Sequence, residues 1–358
     1  MAKGDLVGIS EIAELGNVSK QAVVNWRLRY DHFPQPIKTL QSGPVWDRET
    51  VEEWVKRFKG EATHVLSFIN LKGGVGKTTT AVAVAEFLAH EQRRHVLLID
   101  LDPQTNATVT LISEDQWAEM DKEGRTVAQL FADKVNASHQ QPVFEIERAI
   151  ARRVSTINDG IARLDLLPSS IRLIDLQDRI PMIALAGYFT TNPLEILKSA
   201  VQPILDGYDY VIIDCPPSLG TVTKNGLRIS TGYVIPTVPD IVSTWGIYQI
   251  VENVERFARD IGRSIPPVGI VATKVQANQL HHRIIEDLKH RRFGRFGESN
   301  SLPQPSLFAN YIPQTVAVAR GADVEADIRT LKGKYGSAYD SFKGLTQEVI
   351  AKCETKNI

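Results

Sequence analysis

VLSFINLKGGVGKTTT, Val65 to Thr80, decides how the rest of this 358-residue chain is read. Its apolar opening, Val65 to Ile69, reads as a buried parallel strand, and the residues from Ala81 onward read as a helix. Between them lie Lys72, Gly73, Gly74, Val75, Gly76, Lys77, Thr78 and Thr79. Strand, glycine-rich turn and helix make a phosphate cradle. Glycines let backbone N–H groups curl around an anion, and the helix N-terminus adds its positive dipole end. In that geometry Lys77 reaches β- and γ-phosphates and the Thr78 hydroxyl ligates Mg²⁺.

Two further apolar runs end in carboxylates. His95 to Asp102 reads as a buried strand, expected beside the cradle strand, that delivers Asp100 and Asp102. Asp102 is expected near a γ-phosphate, and Asp100 can share the Mg²⁺ shell. Tyr210 to Asp214 is the other, a hydrophobic strand handing one carboxylate to Mg²⁺ or its waters. Cys215 points the other way on that strand and reads as core. Further strands are expected at 164–168, 232–238 and 268–273. Residues 113–160 look polar and irregular with weak helical stretches, and 331–351 look helical. Strands alternating with helices predict an α/β domain over residues 61–358, a mostly parallel twisted sheet with helices on both faces.

Residues 1–60 read as a separate small module. Ile9, Ile12 and Leu15 stand at helical spacing, with Ser10 as the expected N-cap. Gly16-Asn17 is a turn, and Ser19 is expected to cap a second helix from Lys20 to Arg29. That is a helix-turn-helix pattern. Pro44 to Trp46 reads as an extended piece like a wing tip, and Asp47 as the cap of a helix through Phe58.

Composition sets the bounds. Hydrophobic residues make 43 % and charged residues 23 %, ordinary for a globular chain. A net charge of −1 rules out a whole-chain polyelectrolyte, so nucleic-acid affinity needs local patches. Two cysteines in no metal spacing point to a reducing cytosol. No secretory leader is read at the start, and no apolar run approaches a membrane span.

The usual P-loop pattern places a glycine where Leu71 stands, and the loop carries an additional lysine, Lys72. This KGGVGKTT form, with DLDPQ at 100–104 and DCPPSLG at 214–220, resembles the deviant Walker A loop and switch regions of the ParA/MinD family of ATPases. LPSS at 167–170, Asn225, 236–240 and YIPQT at 311–315 extend the resemblance over nearly all of 65–350. It implies ATP and Mg²⁺ as cofactors, with Lys72, Lys77 and Asp102 as catalytic residues. Lys72 touches the partner's phosphates across a nucleotide-sandwiched dimer, and Asp102 positions the attacking water. Residues 72–79 bind nucleotide, Thr78, Asp100 and Asp214 serve the metal, and Pro313 and Thr315 lie at the base. Thr315 departs from the more usual Asn or Ser.

The N-terminal module resembles the MerR/AlpA-type winged helix-turn-helix, whose second helix enters the major groove. That resemblance assigns base-edge contacts to Gln21, Asn25, Arg27 and Arg29. The basic run 281–295, with Arg283, Lys289, Arg291, Arg292 and Arg295, falls where partition ATPases bind DNA without sequence preference. Ile284, Ile285 and Leu288 supply its expected buried face.

The function these resemblances imply is that of a ParA-type partition ATPase. It forms an ATP-dependent homodimer, holds nucleoid DNA in the cytoplasm and is stimulated by a ParB-like partner. The N-terminal module adds operator binding. An ATP-responsive transcription regulator and a MinD-like positioning ATPase are the alternatives. The second needs a basic amphipathic C-terminal helix for a membrane, and Ile350 to Ile358 offers no apolar face for one. A nitrogenase-type iron–sulfur reductase needs cluster-ligating cysteines that this chain lacks.

Overall fold

The structure, a computed structural model, describes residues 6–16, 18, 20–29, 33–41, 43–59, 63–136, 141–157, 160–185, 192–290, 302–315 and 328–356. The side chains at 22, 25, 28, 29, 56–59, 184, 185 and 356 lie outside that description. Two compact units divide the chain: Met1–Thr63 with Ser199–Asp209, and His64–Lys198 with Tyr210–Ile358.

The larger unit is built on six parallel strands. The smaller unit supplies β1 to β3, so these are β4 (His64–Phe68), β5 (Val96–Asp100), β6 (Leu164–Leu167), β7 (Tyr210–Asp214), β8 (Gly232–Thr237) and β9 (Pro267–Ala272). Their spatial order is β6-β5-β7-β4-β8-β9. All but His64 among them are buried, which is why they read as unbroken apolar runs rather than alternating ones. The order corrects one expectation: β5 does not adjoin β4. β7 lies between them, with Asp100 paired in register to Asp214 and Phe68 to Asp214 on the other side. All three strands therefore end at the same edge, and the loops after them share one crevice, as carboxyl ends do in open α/β sheets.

The helix Lys77–His90 follows β4 and is buried on nearly every face. The C-terminal helix Tyr339–Lys356 packs against it through Phe342, Leu345, Val349 and Cys353, all fully buried, with Phe87 5.3 Å from the Tyr339 ring. Glu86 of the first helix is fully buried too. It accepts hydrogen bonds from Lys334 Nζ at 2.8 Å, Tyr335 Oη at 2.6 Å and the Ser155 hydroxyl, so no carboxylate oxygen is left bare. The described part of 113–160 carries more helix than its polarity implies. Helices Glu114–Lys122, Val127–Val135 and Ile146–Ala149 bury Met120, Val127, Leu130 and Phe131.

The smaller unit has three antiparallel strands in the order β1-β3-β2, namely Leu6–Val7, Gly43–Asp47 and Lys38–Leu40, with helices Ile9–Gly16, Lys20–Arg29 and Arg48–Lys59. Its core holds Ile12, Val23, Trp26, Phe33, Trp46 and Trp54. Trp46 sits on the central strand at zero exposure, so it is core and not the tip of a wing. Gly16 is required by close approach, since a Cβ there would lie 2.9 Å from the Trp26 ring. Asp47 caps the third helix, accepting from Thr50 N at 3.0 Å and Thr50 Oγ1 at 2.9 Å. Ser10 does not cap the first. The helix starts at Ile9, and Gly8 N donates to Glu11 Oε2 at 3.0 Å. Ser19 lies outside the described residues.

Candidate functional site

The loop from Ile69 to Gly76 closes over the sheet edge by three short ties. Asn70 Nδ2 donates to the Pro236 carbonyl at 2.7 Å, and Asn70 Oδ1 accepts from Lys72 N at 2.9 Å. The Thr273 hydroxyl donates to the Val75 carbonyl at 2.7 Å. Gly74 and Gly76 have φ of 71° and 80°, the left-handed region that favours glycine. A Cβ on Gly73 or Gly74 would meet nothing within 4 Å, so the loop backbone borders open space where an anion fits.

That space is a cavity of about 410 Å³. Gly73, Gly74, Gly76, Lys77, Thr78, Thr79 and Asp102 line it. Val75 is turned inward and buried. Lys77 is 6 % exposed, and its Nζ donates to the Lys72 carbonyl at 3.3 Å. Burial lowers the Lys77 ammonium below its ordinary value, against the pull of Asp214 and Asp102. An incoming polyphosphate would favour the charged ammonium and offset that desolvation.

The three carboxylates at the strand ends are not equivalent. Asp100 accepts from Asp102 N at 3.0 Å, Thr108 N at 2.9 Å and Thr108 Oγ1 at 2.7 Å, so both oxygens hold the loop that follows β5. Burial still pushes it up to about 7. Asp102 accepts from Gln104 N at 3.0 Å and faces the cavity. Asp214 is fully buried, and neither oxygen has a hydrogen-bond partner. Burial, then the Asp100 charge, raises it well above the usual carboxylate range. The Thr78 hydroxyl pulls the other way without completing a hydrogen bond, and Lys77 does the same. An unpartnered buried carboxylate beside a threonine hydroxyl fits a hard, oxygen-seeking divalent cation such as Mg²⁺. Cys215 is buried, and burial drives its thiol far up, as expected of core.

Lys72 does not point into the cavity. Its Nζ lies 3.0 Å from Asp240 Oδ2 and 3.0 Å from Ser243 Oγ. Pro313 bridges Val275, and Gln314 N donates to the Val275 carbonyl at 3.0 Å. That brings the 312–315 segment beside Lys274, which lines the cavity, but neither Pro313 nor Thr315 lines it. Lys274, Lys334 and Tyr335 line it too and were missed from sequence. For Lys274 the available signal is a charged residue two positions after the apolar strand β9.

Of the expected DNA contacts, Gln21 and Arg27 are exposed on the helix Lys20–Arg29. The Arg27 guanidinium sits 4.9 Å over the Trp46 ring. The side chains of Asn25 and Arg29 lie outside the described residues, as do Arg291, Arg292 and Arg295 altogether. Arg283 and Lys289 are exposed on the helix Gln279–Lys289, whose Ile284, Ile285 and Leu288 are buried as the pattern requires. Lys289 pairs with Glu286 at 2.8 Å. His281 faces inward, and its Nδ1 accepts from Gln276 N at 3.0 Å.

Residues 63–266 match the AAA_31 family, an AAA domain. The sporulation initiation inhibitor protein Soj of Bacillus subtilis (strain 168) is 30 % identical over 278 residues, covering 74 % of this chain and 96 % of Soj. The chromosome partitioning protein ParA of Myxococcus xanthus is 29 % identical over 235 residues, 64 % of this chain and 73 % of that one. Among solved structures, cobyrinic acid a,c-diamide synthase from Mycobacterium smegmatis with bound ADP and magnesium superposes with a TM-score of 0.58 at 25 % identity, over 83 % of this chain and 97 % of the other. A putative plasmid partition protein from Borrelia burgdorferi, bound to AMPPNP, shares the fold with a TM-score of 0.57 at 18 % identity, over 82 % and 99 %. The strand order, the glycine loop and these relatives agree, and the chain belongs to the ParA/MinD family of P-loop ATPases.

Proposed function

We propose that this protein is a ParA-type partition ATPase that hydrolyses ATP with Mg²⁺, dimerises with ATP bound and holds DNA. The observation that carries the hydrolytic reading is Asp214, a buried carboxylate without a hydrogen-bond partner at the end of β7, close to Thr78 and Lys77. Asp214 and Thr78 would hold Mg²⁺, directly or through its waters. Bound Mg²⁺ supplies charge neutralisation for the β- and γ-phosphates. Lys77 and the loop amides bind and orient those phosphates. Asp102, on the cavity wall, orients the water. Asp100 acts through its hydrogen bonds, holding the Asp102 loop in place.

Lys72 belongs to the dimer rather than to its own cavity in this reading. Its departure from Asp240 accompanies closure. Exposed Arg283 and Lys289, continuing into Arg291, Arg292 and Arg295, contact DNA phosphates, which confines the protein to the nucleoid. A ParB-like protein stimulates turnover. The N-terminal unit, with its own core and outward Gln21 and Arg27, reads operator DNA as a winged helix-turn-helix. That unit favours a second role in repression of its own operon. A membrane-switch role is disfavoured because the apolar side of the last helix is already buried against the P-loop helix. Among the described residues, no helix is long and apolar enough to cross a membrane.

Phosphate release from ATP tests the reading, measured with Mg²⁺ or EDTA and with or without random DNA and the partner. Mg²⁺-dependent turnover that rises with DNA and partner together is expected. Turnover indifferent to Mg²⁺ contradicts it.

A further inference from the structure

The P-loop helix Lys77–His90 has the nucleotide cavity at its first turn and a second cavity at its last, about 20 Å further along the axis. This second space measures about 400 Å³ and lies at the amino ends of β5 and β6, across the sheet from the strand-end carboxylates. Its floor is apolar, with Ala89, Ile157 and Ile161 buried. Its rim is cationic. His90, Arg93 and Arg163 line it, and no carboxylate is among its described lining residues. The backbone of the wall is fixed by Gly160 N donating to the Ile157 carbonyl at 2.9 Å, Leu164 N to Ile161 at 3.0 Å and Ile161 N to Val154 at 3.3 Å. Arg163 Nη1 lies 2.8 Å from His95 Nε2. A guanidinium only donates, so this imidazole accepts and carries its proton on Nδ1, which steers Arg163 without cancelling its charge there. Arg93 is exposed, and among the described residues its guanidinium has no ion pair or hydrogen bond. Its φ of 54° is left-handed, where glycine is the residue of least cost, and an arginine held there is an outlier that points to a use for the side chain. The negative end of the helix is not bare beside it: the Phe87 and Leu88 carbonyls accept from the amides of Glu91, Gln92 and Arg94. The Glu91 carboxylate is taken up by the Tyr339 hydroxyl at 3.1 Å, His90 Nδ1 at 3.5 Å and Lys343 Nζ at 3.9 Å.

We propose that this cavity binds a small phosphorylated molecule at a site separate from the glycine loop. The Arg93 and Arg163 guanidiniums hold its phosphate, with His90 beside them, and its body rests on Ala89, Ile157 and Ile161. Guanidinium forks match phosphate oxygens two at a time, and an exposed one without a carboxylate partner has its donors ready. A recessed apolar floor under a cationic rim suits a compact ligand. A DNA backbone instead calls for cations standing out along a surface. The inference is independent of the partition reading above.

Inorganic pyrophosphate is the probe, titrated calorimetrically into the full chain carrying Lys77→Ala, which weakens the glycine-loop site. Arg93→Gly and, separately, Arg163→Gln are added in that background. Glycine suits the left-handed backbone at 93, so Arg93→Gly removes the guanidinium and keeps the fold, which a thermal melt verifies. One equivalent of pyrophosphate is expected to bind, and each variant should weaken it at least about tenfold, the loss of one charge-assisted contact. Equal affinity with and without Arg93 overturns the proposal, as does the absence of binding up to about 10 mM pyrophosphate. A short random DNA duplex is titrated into the same proteins. Arg93→Gly should leave its affinity unchanged. A loss on DNA that matches the loss on pyrophosphate gives these cations to a nucleic-acid surface and overturns the small-ligand assignment.

Discussion

Lys72 Nζ and Asp240 Oδ2 stand 3.0 Å apart, which ties the glycine loop to the N-cap of the helix Ile241–Asp260. Burial pushes the Asp240 carboxyl up, but the Ser243 amide and hydroxyl and the Lys72 ammonium outweigh it, so it titrates below its ordinary value. A depressed carboxyl stabilises the fold fully above its unfolded value of about 4 and loses that contribution as pH falls through the folded value. Asp240→Ala should therefore destabilise the larger unit at neutral pH by roughly 1 kcal/mol, a typical loss for a cap. Wild type and variant should converge as pH falls through the lowered folded value of Asp240. Denaturant melts across pH check both statements.

Lys77→Ala should weaken ATP binding by at least about a hundredfold, since a buried charge-assisted contact to phosphate is lost. Lys72→Ala should bind nucleotide normally as a monomer yet fail to dimerise. Calorimetric titration paired with light scattering separates the two.

Asp214 gives a prediction with opposite signs for stability and activity. Its folded value is raised, so the nucleotide-free protein should lose stability as pH rises from about 4, where native Asp214 keeps a proton that the unfolded chain gives up. Asp214→Asn removes the cost of holding that proton against its release in the unfolded chain and should stabilise the nucleotide-free protein at pH 8 by about 1–3 kcal/mol. The same variant should lose Mg²⁺-dependent turnover. A variant that is both less stable at pH 8 and fully active would refute the assignment.

The Glu86–Lys334 pair is all but sealed from solvent, at 0 % and 1 % side-chain exposure. Lys334→Ala leaves the buried Glu86 carboxylate without its counter-charge, held only by the Tyr335 and Ser155 hydroxyls, and should cost about 3–5 kcal/mol. Thermal unfolding at fixed pH and salt reads it out.

Two kinds of DNA binding should respond differently to change. Random DNA should be held with a log–log salt slope of about −0.9 per phosphate neutralised. Arg283→Ala should weaken every sequence alike and flatten that slope by roughly one contact. Gln21→Ala or Arg27→Ala should instead cost about 1–3 kcal/mol at one operator position. Removal of residues 1–60 should spare random-DNA binding with ATP. Salt titrations on both DNAs decide.

What was legible in sequence follows physical signal. The six buried strands announced themselves as apolar runs, and the glycine loop by residues whose backbone needs few others can meet. Strand order is a long-range property, so β7 between β4 and β5 left no local trace. Asp100 and Asp102 are alike in sequence. Only the Thr108 hydroxyl and amide, eight residues after Asp100, assign that carboxylate to the loop rather than the cavity. Lys334 and Tyr335 reach the cavity from far along the chain through Glu86, a contact no spacing rule predicts. Ser10 matched a cap preference, yet the chain enters its helix a residue earlier.

The most direct test is single-turnover phosphate release from Mg·ATP by wild type and Asp102→Ala, with ATP affinity measured on the same samples. The account predicts unchanged affinity and hydrolysis slowed by about a hundredfold or more, the usual loss when a group that orients or deprotonates the nucleophile is removed. Asp102→Ala hydrolysing at the wild-type rate would contradict it.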